Sequence, residues 1–322
     1  MTIDKNAYKA ALESVAYFHQ PEAGFLRLED RDRIDFLQRQ STNDLRQVKV
    51  NRTVSTVLTS PTARIQDVFC VIDEGEWLGV VTLPGRSAET AKFLRDRIFF
   101  SDQVRVHELS AEVAQILLIG PQLDGFMEKL GLHSPKPDHM IQGRIADQPI
   151  KVLSQSILTS TGYRMLVPVS IVDVILEALD GAKATALDVE TFAILRVEAG
   201  LPGPDGELVA DYTPLEVQLE KLISDSKGCY TGQEVIARQI TYNKVTKKLV
   251  GIRLSDPVQV GAAIKVEGKS AGRLTSVVNS PRFGPIGLGV IRSQYCDPGT
   301  AISIPREGGS VAGGEITALP FK

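Results

Sequence analysis

Lys227-Gly228-Cys229-Tyr230-Thr231-Gly232-Gln233-Glu234 is the stretch on which the reading of this chain turns. Ser224 to Tyr230 is polar and carries a glycine, so it reads as a loop. Thr231-Gly232-Gln233-Glu234 has the spacing of a capping box and predicts a helix through Arg238. Cys229 therefore stands just upstream of a helix amino terminus, with Lys227 two residues before it. Unpaired backbone N–H groups and a neighbouring ammonium both favour thiolate over thiol. That is the setting of a reactive cysteine. A small apolar plug between loop and core is the other reading, and position alone leaves both standing.

Working outward, Thr213-Pro214-Leu215-Glu216 is another capping box, with proline at the first helical position; it predicts a helix from Pro214 to about Ile223. Asp188 to Ala199 reads as a helix capped by Asp188, with Gly200 at the stop position and Pro202 beyond it. Glu198 falls in the last turn, where the helix carboxyl terminus is partly negative. A carboxylate there calls for a cationic or hydrogen-bond-donor partner; pairing with an arginine or facing water is the plainer alternative.

Before this region, strands and helices mix without a regular βαβ alternation. Phe25 to Leu28, Val54 to Leu58, Ile65 to Ile72 and Trp77 to Thr82 read as strands, and Ser60-Pro61-Thr62 as a turn. Asp30 and Ser87 are candidate caps for helices that follow them. Val104 to Leu109, Ile116 to Ile119, Ile150 to Leu153 and Tyr163 to Val167 are further strands, with helices predicted from Pro121 to near Gly131 and from Ser170 to Leu179. After about Lys247 helical periodicity stops, and five short β runs between Leu249 and Ile304 are punctuated by Gly or Pro. The Glu307 to Gly314 tail is glycine-rich. The fold class expected is α+β, with an α+β body over 1–245 and an antiparallel β-barrel over 246–322.

The 322 residues exceed one ordinary core, and a net charge of −3 does not indicate a strongly basic nucleic-acid-gripping domain over the whole chain, leaving room for a local basic patch. Cys70, Cys229 and Cys296 lie far apart, which fits neither a disulfide framework nor a zinc site and points to a reducing cytoplasm. Cys70, inside an apolar run, reads as buried. No signal core or membrane span is expected. The four histidines have no metal-ligand spacing. Arg238, Lys244, Lys247, Lys248 and Arg253 form a basic cluster: a solvated face, or a receiver for a polyglutamate tail, a phosphate or an acidic partner.

The quoted octapeptide resembles the K-G-C-F/Y-x-G-Q-E motif of the YgfZ-like proteins, relatives of the glycine cleavage T protein. Arg196-Val197-Glu198-Ala199-Gly200 resembles the R-x-E-x-G segment of T-protein relatives, and Thr213-Pro214-Leu215-Glu216 their T-P-x-E segment. Ser41-Thr42-Asn43-Asp44 resembles their early T-N-D region. Thr161-Gly162-Tyr163 resembles a G-Y-E segment in which Arg164 replaces the glutamate. The resemblance implies a three-lobed fold, two mixed α/β lobes and a C-terminal antiparallel β-barrel, around a central hole holding tetrahydrofolate. It implies that Glu198 binds the pterin, with Tyr163, Arg196, Gln233 and Arg238 as further folate-binding residues. It implies catalytic roles for Cys229, Lys227 and Asp67, the last standing where T proteins place an aspartate near the folate nitrogen. The function implied is assistance to iron–sulfur protein assembly or repair, in a monomer with iron–sulfur clients as partners. One cysteine cannot by itself hold a cluster. A T protein has a Y-G-x-D stretch where this chain has Pro202-Gly203-Pro204-Asp205, which speaks against aminomethyl transfer. Folate-dependent one-carbon transfer steered by Asp67, and a non-catalytic module binding tRNA or protein through the basic cluster, are the rival expectations.

Overall fold

The structure, a computed structural model, describes residues 3–158, 160–306 and 310–322. Met1, Thr2 and the tail reading at Glu307 to Gly309 lie outside them. The chain divides into two units: Met1–Thr59, Gln66–Phe192 and Leu222–Thr231 form the first, and Ser60–Ile65, Ala193–Lys221 and Gly232–Lys322 the second.

The first unit holds α1 (Lys5–Glu13), β1 (Ala16–His19), β2 (Gly24–Glu29), α2 (Arg33–Gln40), β3 (Thr53–Thr59), β4 (Ile65–Asp73), β5 (Trp77–Thr82), α3 (Ser87–Arg95) and β6 (Arg105–Glu108). It continues with β7 (Val113–Ile119), α4 (Leu123–Lys129), β8 (Met140–Ile145), β9 (Gln148–Ile157), β10 (Ser160–Pro168), α5 (Val172–Gly181) and β11 (Thr185–Ala186). These strands make a five-stranded sheet, β3-β4-β5-β2-β6, and a six-stranded sheet, β11-β1-β7-β10-β9-β8.

Period-two alternation sorts side chains to the two faces of each strand. On β10, Tyr163, Met165 and Val167 pack with Phe126 and Met127 of α4 and Ile175 and Leu179 of α5. On β2, Leu26 and Leu28 pack with Phe36 and Leu37 of α2 and Leu94 of α3. The opposite faces meet: Phe25, Ile72 and Val81 of one sheet share a core with Met140, Leu153 and Leu166 of the other. The unit is thus layered helix, sheet, sheet, helix. Each fully buried Leu or Ile contributes about 2 kcal/mol to holding it. On β4 the same alternation sends Asp67, Phe69 and Val71 toward α2 and α3, and Cys70 and Ile72 toward the second sheet. Cys70 is half-buried rather than buried, and desolvation pushes its thiol pKa up.

The second unit includes α7 (Gln233–Thr241), which follows α6 (Val189–Glu198) in helix order. It also holds β12 (Lys247–Leu254), β13 (Ala263–Val266), β14 (Lys269–Ser280), β15 (Gly284–Arg292), β16 (Ala301–Pro305) and β17 (Val311–Thr317). The last six close a barrel in the order β12-β15-β14-β13-β16-β17, filled by Val250, Ile252, Ile264, Leu274, Ile304 and Ile316. The antiparallel barrel and mixed α/β lobes are the architecture expected.

Several local readings are corrected. Pro214 to Ile223 is not one helix but two 3-10 turns, Pro214–Val217 and Glu220–Leu222, broken by Gln218 at φ 64°. Glu216 does accept the Thr213 N–H at 3.0 Å. Its other oxygen accepts the Thr246 hydroxyl at 3.1 Å, and the Gln218 amide donates to the Leu249 carbonyl at 3.1 Å. Those tertiary bonds outweigh local helix preference. Thr231 is not the α7 cap: Gly232 is, at φ 86°, a conformation that suits glycine. Neither Asp30 nor Ser87 caps: Asp32 and Arg86 precede α2 and α3, without side-chain capping bonds. Unread in the sequence were α1, which Asp4 caps through the Asn6 and Ala7 N–H groups, and strands β1, β8, β11 and β17.

Candidate functional site

In the first unit, Leu222–Thr231 lies along the turn that follows α2. The Thr42 hydroxyl donates to the Leu222 carbonyl at 2.6 Å, and the Ser224 N–H donates to the Thr42 carbonyl at 3.0 Å. At the other end the Thr231 N–H donates to the Arg39 carbonyl at 3.0 Å, and the Thr59 hydroxyl donates to the Thr231 carbonyl at 2.6 Å. Between them the Lys227 ammonium donates to the carbonyls of Gln38, Ser41 and Asn43, each at 2.7 Å. Lys227 is 9% exposed and lies 5.1 Å from the Tyr230 ring centroid. Burial pushes its pKa down to about 8, with Asp44 opposing and Arg46 adding to the fall. Cys229 is exposed. The thiol is therefore displayed on a bonded loop, while the lysine beside it in sequence spends its hydrogens on backbone oxygens.

Asp67 lies under α3. Its Oδ1 accepts the N–H groups of Val68 at 2.8 Å and Leu83 at 3.1 Å, and its Oδ2 accepts the Thr90 hydroxyl at 2.6 Å. None of the residue is exposed. Burial pushes the carboxyl pKa up to about 7, against the lowering effect of those bonds and of Arg86. Tyr163 is in the core between its sheet and α4, where its hydroxyl donates to Asp124 at 2.8 Å. Burial raises the phenol pKa. Asp67, Tyr163 and Lys227 thus occupy three different places in the first unit. A cavity of about 640 Å³ in this unit, lined by residues including Phe25, Trp77, Ile150, Lys151 and Leu166, is lined by none of the three.

In the second unit, Glu198 is 5% exposed and its Oε1 accepts the Ser280 hydroxyl at 2.5 Å. The Ser280 oxygen itself accepts the N–H groups of Arg282 and Phe283, both at 3.0 Å. The donor partner that a carboxylate at a helix carboxyl terminus calls for is thus a serine. The Glu198 carbonyl accepts the Phe321 N–H at 3.0 Å, and the Phe283 and Phe321 rings lie 6.0 Å apart with Arg253 over both. Gly200 adopts φ 70°, and a Cβ there would lie 2.8 Å from Leu319. Two residues before Glu198, Arg196 is committed to the Leu201 carbonyl at 2.7 Å, Ser276 at 2.9 Å and Glu207 at 3.5 Å. Burial lowers its pKa and Glu207 opposes that. Gln233 stands in the first turn of α7, and Arg238 pairs with Glu234 at 2.6 Å on an exposed face.

Ser280, Thr90 and the carbonyls of Gln38, Ser41 and Asn43 were not anticipated. Ser280 is 82 positions from Glu198, and a backbone carbonyl carries no residue-type signal. Among the described residues no group of three or more His, Cys, Asp or Glu is placed to hold a metal ion, and no helix is long and apolar enough to cross a membrane.

Residues 3–227 match the model of the GCVT N-terminal domain, and residues 247–322 that of the glycine cleavage T-protein C-terminal barrel domain. The chain is 29% identical over 322 residues to a chloroplastic protein of Arabidopsis thaliana named as a transferase, covering 99% of this chain and 74% of that one. It is 26% identical to the aminomethyltransferase of Aquifex aeolicus, over 97% of this chain and 85% of that one. Its fold superposes on the crystal structure of glycine cleavage system aminomethyltransferase T from Bartonella henselae with a TM-score of 0.86 at 18% identity, covering 98% of this chain and 89% of that one.

Proposed function

The chain belongs to the glycine cleavage T-protein family, and from that membership we propose that it is a YgfZ-like tetrahydrofolate-binding protein that assists iron–sulfur proteins through Cys229. The observation that carries the proposal is an exposed thiol on a loop bonded at both ends, within the octapeptide that resembles the YgfZ motif. An exposed thiolate can attack an electrophile or ligate a metal transiently. The residues around Glu198 suit a pterin. A carboxylate can accept paired hydrogen bonds from an aminopyrimidine edge, and the half-buried Phe283, whose N–H donates to Ser280, places a flat apolar ring close to the residue that holds Glu198. Bound folate would supply a carrier for one-carbon units; Glu198 would orient it, and Ser280 would hold Glu198.

Aminomethyl transfer, the activity in the names of several relatives, is the second reading. It asks Asp67 to act on bound folate. Here that carboxyl is wholly buried and engaged by Val68, Leu83 and Thr90, which favours a structural role.

Two experiments test the proposal. Cys229→Ala, expressed in cells lacking the native protein, is expected to lower iron–sulfur enzyme activities to the level of the deletion; full activity would remove the proposed role. Tetrahydrofolate titration, followed by calorimetry, is expected to show binding by the wild type and a loss of at least about tenfold in affinity for Glu198→Ala. Equal affinities would move the folate elsewhere.

A further inference from the structure

Lys227 sits in the same motif as Cys229, and its charge would be the obvious activator of that thiol. Its ammonium is used differently. An ammonium has three hydrogens, and here each has a carbonyl at 2.7 Å, from Gln38, Ser41 and Asn43. Gln38 lies in the last turn of α2 and Ser41 is its carboxyl cap, so the cation stands where the helix's unpaired carbonyls gather. The charged neighbours Asp44 and Arg46 act on it in opposite directions.

We propose that Lys227 is the positioning residue of the thiol loop: a buried pin that fastens residues 222–231 to the carboxyl end of α2 and so holds Cys229 at the surface. This deepens, and rests on, the assignment of Cys229 as the working thiol. The bonds of Leu222, Ser224 and Thr231 secure only the two ends of the segment. Between Ser224 and Thr231, Lys227 supplies the bonds that tie the middle to the α2 turn. Without the pin, the six residues between Ser224 and Thr231 keep the buried Tyr230 ring but no bond to the α2 turn, and three carbonyls lose their donor. One ammonium nitrogen carries three hydrogens for three oxygens converging on it, whereas no nitrogen of a planar guanidinium carries more than two.

The test is amide hydrogen exchange of the full-length protein over residues 222–231, paired with alkylation of Cys229 by iodoacetamide across pH. Lys227→Met is expected to raise exchange in this segment about tenfold or more. It is expected to leave the pH position of the alkylation profile where the wild type has it. Lys227→Arg is expected to restore little of the protection. Thr42→Val removes the bonds of its hydroxyl to Leu222 and Val57 and leaves the pin; it is expected to raise exchange less than Lys227→Met and, should the latter fail to fold, to keep residues 226–229 at wild-type exchange, a rise there overturning the proposal. Unchanged exchange in Lys227→Met, or full protection in Lys227→Arg, would overturn the proposal. So would an alkylation profile moved to higher pH with exchange unchanged, since the lysine would then act by its charge. Cys229→Ala is expected to keep wild-type exchange, so a silent Cys229 in cells would sink the functional assignment and leave the pin intact.

Discussion

Lys227 and Asp67 in the first unit and the Arg196–Glu207 pair in the second keep charge out of water in different ways. In the first, Lys227 faces three carbonyls, and Asp67 faces two N–H groups and a hydroxyl. In the second, the half-buried Arg196 and the buried Glu207 form a pair 3.5 Å apart, with Ser276 bonded to both. A counter-charge favours ionisation directly, while a ring of dipoles opposes desolvation less strongly. The ionisations follow: Asp67 rises to about 7 and Lys227 falls to about 8. For Arg196, burial is opposed by Glu207. The lesson is that Asp67 and Lys227, held by neutral donors and acceptors, are shifted toward neutral pH, while Arg196 has a carboxylate that opposes the effect of its burial.

The largest effect expected from this contrast is in the second unit. Glu207 is unexposed and also accepts the Gly203 N–H at 2.7 Å. Glu207→Ala removes the carboxylate bonded to Arg196 and leaves it only the more distant Asp205; it is expected to lower the unfolding free energy by about 3–5 kcal/mol in urea titration. A loss under about 1 kcal/mol would show that the pair is held by its neutral bonds after all. Asp67→Asn comes next and has the opposite sign at neutral pH. A carboxyl whose pKa rises on folding, here from 3.8 to about 7, binds its proton more tightly when folded. It therefore costs nothing below the unfolded value, costs progressively more as pH climbs to about 7, and carries the full cost above. Asparagine cannot ionise, can keep accepting from Val68 and Leu83 and can donate to Thr90. It is expected to gain about 2–4 kcal/mol on the wild type between pH 4 and pH 8. A stability difference that does not change with pH would remove Asp67 from the comparison. The smallest effect sharpens the contrast from outside: the Arg238–Glu234 pair has side chains 70% and 78% exposed. Arg238→Ala is expected to change stability by no more than about 0.5 kcal/mol, measured the same way.

Much of the fold was legible because alternation leaves a mark in the residues. Val54 to Leu58, Ile65 to Ile72 and Trp77 to Thr82 match β3, β4 and β5, and the β runs from Leu249 to Ile304 match five barrel strands. Strand β17 was hidden by Gly313 and Gly314, which read as a loose tail. In the barrel a Cβ on Gly314 would lie 2.8 Å from the Arg253 carbonyl oxygen, so the glycine is there for close strand approach. The capping boxes were legible as motifs but not as outcomes. Thr231 has the right spacing, yet its N–H goes to Arg39, 192 positions away in sequence, and its carbonyl to Thr59.

By itself the sequence determined that Cys229 in its octapeptide and Glu198 at a helix end stand out, because motif and periodicity are local properties; Asp67 stood out only through the resemblance to T proteins. What each side chain touches was decided only by the tertiary structure. Lys227 could be placed two residues from a thiol by counting, but its three oxygen partners belong to a segment about 185 residues earlier. Backbone carbonyls are identical in every residue type, so the surroundings that turn this lysine from a neighbour of the thiol into a support for its loop exist only once the chain has folded.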